Sequence, residues 1–160
     1  MAVGSPSDLV EKVSLPALRE GRVDDFPSLV RVWRSAVDAT HHFLPDADRD
    51  SIEGLLASDY LPAVRLTVAE IGGEPVAFAG TSEGKLEMLF VQDALRGQGI
   101  GSLLIEHVVR EQRVVEVDVN EQNPAAVAFY NSKGFVTVGR RAVDEAGRPY
   151  PLLHMSLSSQ

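Results

Sequence analysis

The residues that most suggest chemistry are the run Arg96-Gly97-Gln98-Gly99-Ile100-Gly101, followed by Ser102. Glycines let a backbone approach a bulky anion and adopt positive φ. A helix opening behind them offers free N–H groups and the positive end of its dipole. Arg96 adds a fixed positive charge. The run falls between a segment that reads as a strand ending at Val91 and one that reads as a helix opening near Gly99, a junction that suits a pyrophosphate. A glycine-rich surface turn holding nothing is the plain alternative, but it does not account for three glycines and an Arg at such a junction. A dinucleotide site is the sharper rival, and Asp118 lies at roughly the distance of a ribose-binding acid. That motif wants a third glycine where Ser102 stands, about ninety residues precede the run, and one strand–helix repeat follows it. His41 and His42 also invite a catalytic reading, since imidazole titrates near neutrality. A His pair at a helix C-terminus, favoured by the dipole, accounts for them equally well.

The elements that must position these groups read as a mixed α/β domain over 13–160, after a flexible lead-in over 1–12. Ser14 to Arg19 reads as a first strand, on an edge because of Pro16. Asp24 to about Ala39 reads as a helix with Leu29, Trp33, Ala36 and Val37 on one face. Thr40 to Pro45 is a loop, and Asp48 to Tyr60 a second helix with Pro62 beyond it. A meander of three strands follows, Val64–Ile71, Val76–Thr81 and Lys85–Val91. A helix runs from Gly99 to about Arg110 with Leu103, Leu104, His107 and Val108 on one face. Val114 to Val119 is a β-branched run of the kind buried on both faces. Pro124 stands at a helix start, the helix covers Ala125 to Lys133, and Gly134 ends it. Phe135–Arg140 and Leu152–Leu157 are the last strands.

Composition narrows the chemistry. The chain has 160 residues, 44% of them hydrophobic, and no Cys. Disulfides, thiolate metal sites and a cysteine acyl-enzyme are therefore excluded. The four histidines are scattered without a zinc-like spacing, so no metal is expected. A formal net charge of −8 argues against a general nucleic-acid binder and is compatible with a cationic substrate. With no secretory signal at the start and no apolar stretch of bilayer length, the expectation is a cytoplasmic protein, monomer or homodimer, with no membrane or nucleic-acid partner.

Read as one unit, the second half carries more. Leu89-Phe90-Val91, the glycine run, Asn120 and Asn123, Ala128-Phe129-Tyr130 and Gly134-Phe135 occur in that order. This resembles the GNAT acetyltransferase superfamily. Its signature R/Q-x-x-G-x-G/A is met by Arg96, Gly99 and Gly101, and its N-x-x-A-x-x-F-Y-x-x-x-G-F element by Asn123, Ala126, Phe129, Tyr130, Gly134 and Phe135. Val37-Asp38-Ala39-Thr40-His41, Val119 to Asn123, and Gly147 to Leu153 further resemble its small bacterial YjaB-like branch.

The resemblance implies a GNAT fold: a mixed twisted sheet of six to seven strands with about four helices, its central parallel strands Lys85–Val91 and Val114–Val119 splayed apart. It implies acetyl-CoA as acyl donor, its pantetheine arm beside Leu89, Phe90 and Val91 and its pyrophosphate on Gln98 to Ser102. Asn123, Tyr130 and Lys133 complete the expected cofactor site. An amine-bearing acceptor attacks the thioester directly. Tyr130 matches the family's general acid, and Glu87 stands where members often place a base. Glu87 is expected on the same strand face as Lys85 and Leu89. Trp33, His41, His42 and Asn120 are candidates for the acceptor side. A small-molecule amine is the expected acceptor; a protein N-terminus or lysine, and a non-catalytic acyl-CoA sensor on the same fold, are the alternatives.

Overall fold

The computed structural model describes residues 16–158. The lead-in expected over 1–12, and the start of the strand expected from Ser14, lie outside them. Seven strands form one sheet in the order β1-β2-β3-β4-β5-β7-β6. The strands are β1 (Ala17–Glu20), β2 (Arg65–Ile71), β3 (Glu74–Ser82), β4 (Lys85–Val91), β5 (Glu116–Asn120), β6 (Phe135–Arg141) and β7 (Leu152–Leu157). The α-helices are α1 (Phe26–Thr40), α2 (Asp46–Leu55), α3 (Ile100–Gln112) and α4 (Pro124–Ser132). Two apolar layers cover the sheet. On one face, Leu29, Val32, Trp33 and Val37 of α1 pack with Leu56, Leu61, Leu66, Val68 and Phe78. On the other, Ile100, Leu104, Ile105 and Val108 of α3 pack with Tyr130 of α4 and with Leu86, Val117, Val119, Phe135 and Met155.

Several boundaries differ from the sequence expectation, each for a local reason. The first helical turn, Val23–Asp25, is 3₁₀, so α1 proper begins at Phe26. Asp25 is buried there, held by both terminal nitrogens of Arg19 at 2.8 Å and by the Arg22 N–H at 2.8 Å. The second helix stops at Leu55, and a π turn over Leu56–Tyr60 replaces its last turn. An i→i+5 turn aligns residues five apart, and it brings both Leu56 and Leu61 into the core. The buried stripe of α3 includes Ile100 and Ile105, while Leu103 faces outward.

The strand expected over Val114–Val119 begins only at Glu116, and it is not buried on both faces. Val117 and Val119 point into the α3 layer, while Glu116, Asp118 and Asn120 lie half-exposed on the other face. That half-polar face of β5 becomes part of the site.

The feature that creates the site is how little β4 and β5 share. They pair in parallel only at Lys85↔Glu116 and Leu86↔Val117. Beyond Leu86, β4 continues along β3 and β5 along β7, so the sheet opens into a V. A bulge adds to the divergence: Gly80 opposes Met88 and Thr81 opposes Leu86, leaving Glu87 as the extra residue on β4. A bulge interrupts the two-residue alternation of a strand. Leu86, Leu89 and Val91 accordingly pack toward α3, and Met88 and Phe90 toward α1. Glu87 therefore does not share a face with Leu89 as alternation predicted; it lies with Lys85 and Met88.

Candidate active site

The V-shaped opening holds a cavity of about 730 Å³. One wall is the end of β4, with Leu89, Phe90 and Val91; another is α4 and its cap, with Asn123, Ala126, Phe129 and Tyr130. Arg96, Gly97, Gly99, Ile100, Gly101 and Ser102 also line it, as do His41 and His42 just past α1. Each wall has a local cause. Gly97 and Gly99 have φ of +78° and +85°, the left-handed region that favours glycine, and Gly99 is the residue from which α3 departs. The turn leading to them is steadied by the Asp93 N–H, which donates to Ser35 Oγ on α1 at 2.9 Å. A Cβ on Gly101 would lie 3.6 Å from Phe129 and 3.8 Å from Val91, so side-chain bulk is absent where the two walls converge. Asn123 caps α4, its Oδ1 accepting from the Ala126 N–H at 3.2 Å, an arrangement worth about 1 kcal/mol.

These features fit an acyl-CoA. The first-turn N–H groups of α3 have no intrahelical partner, and they face a cavity bordered by the Arg96 guanidinium. The backbone of β4 past Leu86 has no β5 strand beside it. An amide-bearing pantetheine arm and a pyrophosphate need those two kinds of donor and acceptor.

Tyr130 is buried against Phe129 and Phe135, with ring centroids 5.1 and 5.9 Å away in edge-on arrangements. Burial pushes its phenol well above the ordinary tyrosine value, so the hydroxyl keeps its proton. Among the described residues that hydroxyl has no hydrogen-bond partner, and Tyr130 lines the cavity. His41 is pushed down to about 4, first by burial and then by the charges of Arg49 and His42. Its Nδ1 lies 2.7 Å from Thr40 Oγ1. Burial thus keeps the imidazole neutral, and the ring forms part of the cavity wall beside Phe43 and Phe90.

A second cavity, of about 420 Å³, follows along β4 on the α1 face. Here Trp33, Leu56 and Met88 form an apolar side, and Glu87, Asp118, Asp144 and Glu145 an acidic one. Lys85 and Arg148 are the cations among its lining residues. The loop between β6 and β7 roofs it, and Tyr150 fastens that loop by donating from its hydroxyl to Asp48 of α2 and by packing 6.0 Å from Phe43.

The structure divides the predicted residues between these spaces. Leu89, Phe90, Val91, Arg96, Gly97, Gly99, Ile100, Gly101, Ser102, Asn123, Tyr130, His41 and His42 line the first cavity. Glu87 and Trp33 line the second, Trp33 also meeting Phe90 edge-on at 6.5 Å as a core residue. Three are placed elsewhere. Asn120 Oδ1 is used by the Gln122 N–H at 2.8 Å and reaches neither cavity. Lys133 Nζ pairs with Glu106 at 3.2 Å and sits 5.8 Å above the ring of Phe129, a wall residue, without itself lining the cavity. Gln98 is exposed at the outside of the glycine turn. Sequence reasoning missed Asp118, Asp144 and Glu145 as neighbours of Glu87, and Phe129 and Gln122 as walls. The alternation of Glu116, Asp118 and Asn120 was the available signal for the first, since it marks a polar strand face.

Comparison with known proteins places this geometry. Residues 36–157 match the family model described as the acetyltransferase (GNAT) domain. The peptidyl-lysine N-acetyltransferase YjaB of Salmonella typhimurium is 42% identical over 139 residues, covering 86% of this chain and 95% of that protein. The solution structure of apo-form YjaB from Escherichia coli superimposes with a TM-score of 0.83 at 37% identity, covering 91% of this chain and 99% of that one. The PaiA N-acetyltransferase of Thermoplasma acidophilum, solved with coenzyme A, shares the fold at a TM-score of 0.68 and 16% identity, over 88% and 98% of the two chains. With the family model covering more than half its length and a near full-length relative above 40% identity, the chain belongs to the GNAT acetyltransferase family.

Proposed function

We propose that this N-acetyltransferase moves the acetyl group of acetyl-CoA to the side-chain amine of a lysine in a protein or peptide. The observation that carries the reading is the pairing of two unlike cavities along β4. The first offers helix N–H groups and backbone to an anionic donor; the second offers carboxylates to a cationic acceptor. Relatives of nearly the same length are named peptidyl-lysine N-acetyltransferases, which favours a lysine side chain over the free small amine expected from sequence.

In this mechanism the acceptor nitrogen attacks the thioester carbonyl carbon and the carbon–sulfur bond breaks. Glu87 takes the proton that the nitrogen loses, directly or through one water. The Tyr130 hydroxyl donates a proton to the departing sulfur, so the products are an amide and a free thiol. Glu87 lies on the acceptor side and Tyr130 on the donor side of β4, where a base and an acid are needed. The oxyanion is met by backbone N–H groups of β4 near Leu89 or Val91, whose strand edge faces the V.

Purified protein, acetyl-CoA and lysine-containing peptides, followed by mass spectrometry and thiol release, test the reading. Acetylation on lysine Nε, faster than on polyamines or free amino acids at equal concentration, is expected. Thiol release that depends on small amines and ignores peptides would reassign the acceptor.

A further inference from the structure

The acceptor cavity contains an internal ammonium among its carboxylates. Lys85 Nζ lies 2.7 Å from Asp118 Oδ2, 3.5 Å from Glu87 Oε1 and 3.8 Å from Glu145 Oε1. Asp118 is fixed from its other side: His154 Nδ1 is 2.7 Å from Asp118 Oδ1, and His154 Nε2 is 3.0 Å from Glu116 Oε1. Strand register produces this arrangement. Asp118 opposes His154 across β5 and β7, and Lys85 stands beside Glu116 at the first of the two paired steps, one residue before the V opens past Leu86. Burial by itself would lower the Lys85 pKa, but the hydrogen bond to Asp118 and the surrounding carboxylates outweigh it, so Lys85 remains an ammonium. Burial would likewise raise Asp118, yet the Lys85 and His154 contacts hold it below the usual carboxylate range.

We propose that Asp118 is a positioning residue that holds the Lys85 ammonium closer to itself than to Glu87, leaving the Glu87 carboxylate able to accept the acceptor's proton. The inference rests on the reading of Glu87 as base. An ammonium in contact with a carboxylate stabilises its charged form and so weakens it as a proton acceptor. Lys85 resting on Glu87 would also occupy the place where the acceptor nitrogen must be. The two carboxylates stand on either side of one flexible lysine, and the better-anchored one, 16% exposed against 32% for Glu87, takes the shorter contact. Glu145 is 70% exposed on the loop and competes weakly because water screens it.

The experiment compares Glu87→Gln, Asp118→Asn, Asp118→Glu, Lys85→Met and the Lys85→Met/Asp118→Asn double variant, with kcat from thiol release, acetyl-CoA affinity from calorimetry, and Tm. General-base catalysis is typically worth ~10²–10⁴-fold, so a base partly blocked by Lys85 in Asp118→Asn should lose about tenfold in kcat. Acetyl-CoA affinity should be unchanged, and Asp118→Glu should stay near the wild-type rate. The double variant should recover most of the loss, because no ammonium remains to be withheld. Asp118→Asn at the wild-type rate, or a double variant as slow as Asp118→Asn, overturns the proposal; a merely structural Asp118 gives the second result. Glu87→Gln at the wild-type rate overturns the base reading instead, and the inference with it. If Asp118→Asn is too unstable to assay, Lys85→Met and the double variant carry the test. Without the ammonium their kcat values should agree, and unequal values overturn the proposal.

Discussion

The two cavities along β4 are built from different materials. The first, proposed for the donor, depends on backbone for its polar groups: positive-φ glycines, the first turn of α3 with its free N–H groups, and the strand edge left bare where β5 departs, set between apolar side chains. The second, proposed for the acceptor, takes its polar groups from side chains contributed by α1, the π turn, β4, β5 and the β6–β7 loop. A backbone site has few ways to change without breaking the fold, and it suits a donor common to a family. A side-chain site can change residue by residue, and it suits an acceptor particular to one branch. Substitutions should therefore separate cleanly into those that affect donor handling and those that affect acceptor handling.

The largest effect should come where both substrates meet. Tyr130→Phe keeps the buried ring and its edge-on contacts with Phe129 and Phe135 and removes only the proton donor. General-acid catalysis is typically worth ~10²–10⁴-fold, so kcat should fall within that range while acetyl-CoA affinity and Tm hold. The loss should shrink with an acyl donor whose thiol is more acidic. Full activity in Tyr130→Phe would make it a packing residue and move the acid elsewhere.

Ser102→Asp tests the donor side alone. Ser102 lies in the first turn of α3 and lines the cavity. A carboxylate there is favourable to the helix by about 0.3–1 kcal/mol, yet it stands where the pyrophosphate is proposed to bind. Tm should hold or rise slightly while calorimetric affinity for acetyl-CoA falls roughly a hundredfold, since like charges in a partly desolvated site repel by a few kcal/mol. This variant is cleaner than one at Gly99, where φ of +85° would strain any side chain. Undiminished affinity would move the phosphates off the α3 terminus.

The contrast in material also sets what could be read from sequence. Gly97, Gly99 and Gly101 at a strand-to-helix junction marked the first cavity, which they line, because backbone geometry is written in glycine positions. The seven-stranded order, with β7 between β5 and β6, was not legible from the chain's element order. Strand neighbours are tertiary choices, and the family resemblance implied only a mixed sheet of six to seven strands with its central parallel strands splayed. Glu87 was visible, but the bulge that turns it from Leu89 was not; it depends on how Gly80 and Thr81 of β3 meet β4. Lys133 and Asn120 looked suitable by type, and local partners took them: Glu106 for one, the Gln122 N–H for the other. Asp118 needed β7 to give it meaning, since His154 is 36 residues away in sequence.

Tyr150→Phe tests the acceptor side alone. It removes the hydroxyl that fastens the β6–β7 loop to Asp48 and leaves the ring against Phe43. Hydrogen bonds to charged groups contribute about 1.5–3 kcal/mol; here the group is part-exposed, so the lower end applies. The acceptor KM should rise a few-fold with kcat and acetyl-CoA affinity little changed. An altered acetyl-CoA affinity with an unchanged acceptor KM would mean that the loop serves the donor cavity.

The smallest effect at neutral pH should be at His41, and there the comparison can be sharpened with pH. Its folded-state value is pushed down to about 4, first by burial, against an ordinary value near ~6.5. The folded protein thus prefers the neutral ring more strongly than the unfolded chain does. That preference leaves stability intact above the ordinary value. As pH falls from about 6.5 toward 4 the unfolded chain gains a proton first, and stability declines across that window by an amount on the order of 1–3 kcal/mol. His41→Gln keeps a polar group beside Thr40 and removes the titration. Its ΔG of unfolding should be close to wild type at pH 7.5 and should fall less steeply between pH 6.5 and 4, measured by denaturant titration. With Glu87 as the proposed base, kcat of this variant at pH 7.5 should change by no more than about twofold, well short of the ~10²–10⁴-fold expected for removing an acid–base catalyst. A larger loss, with the stability profile unchanged, would return His41 to the chemistry and weaken the assignment of Glu87.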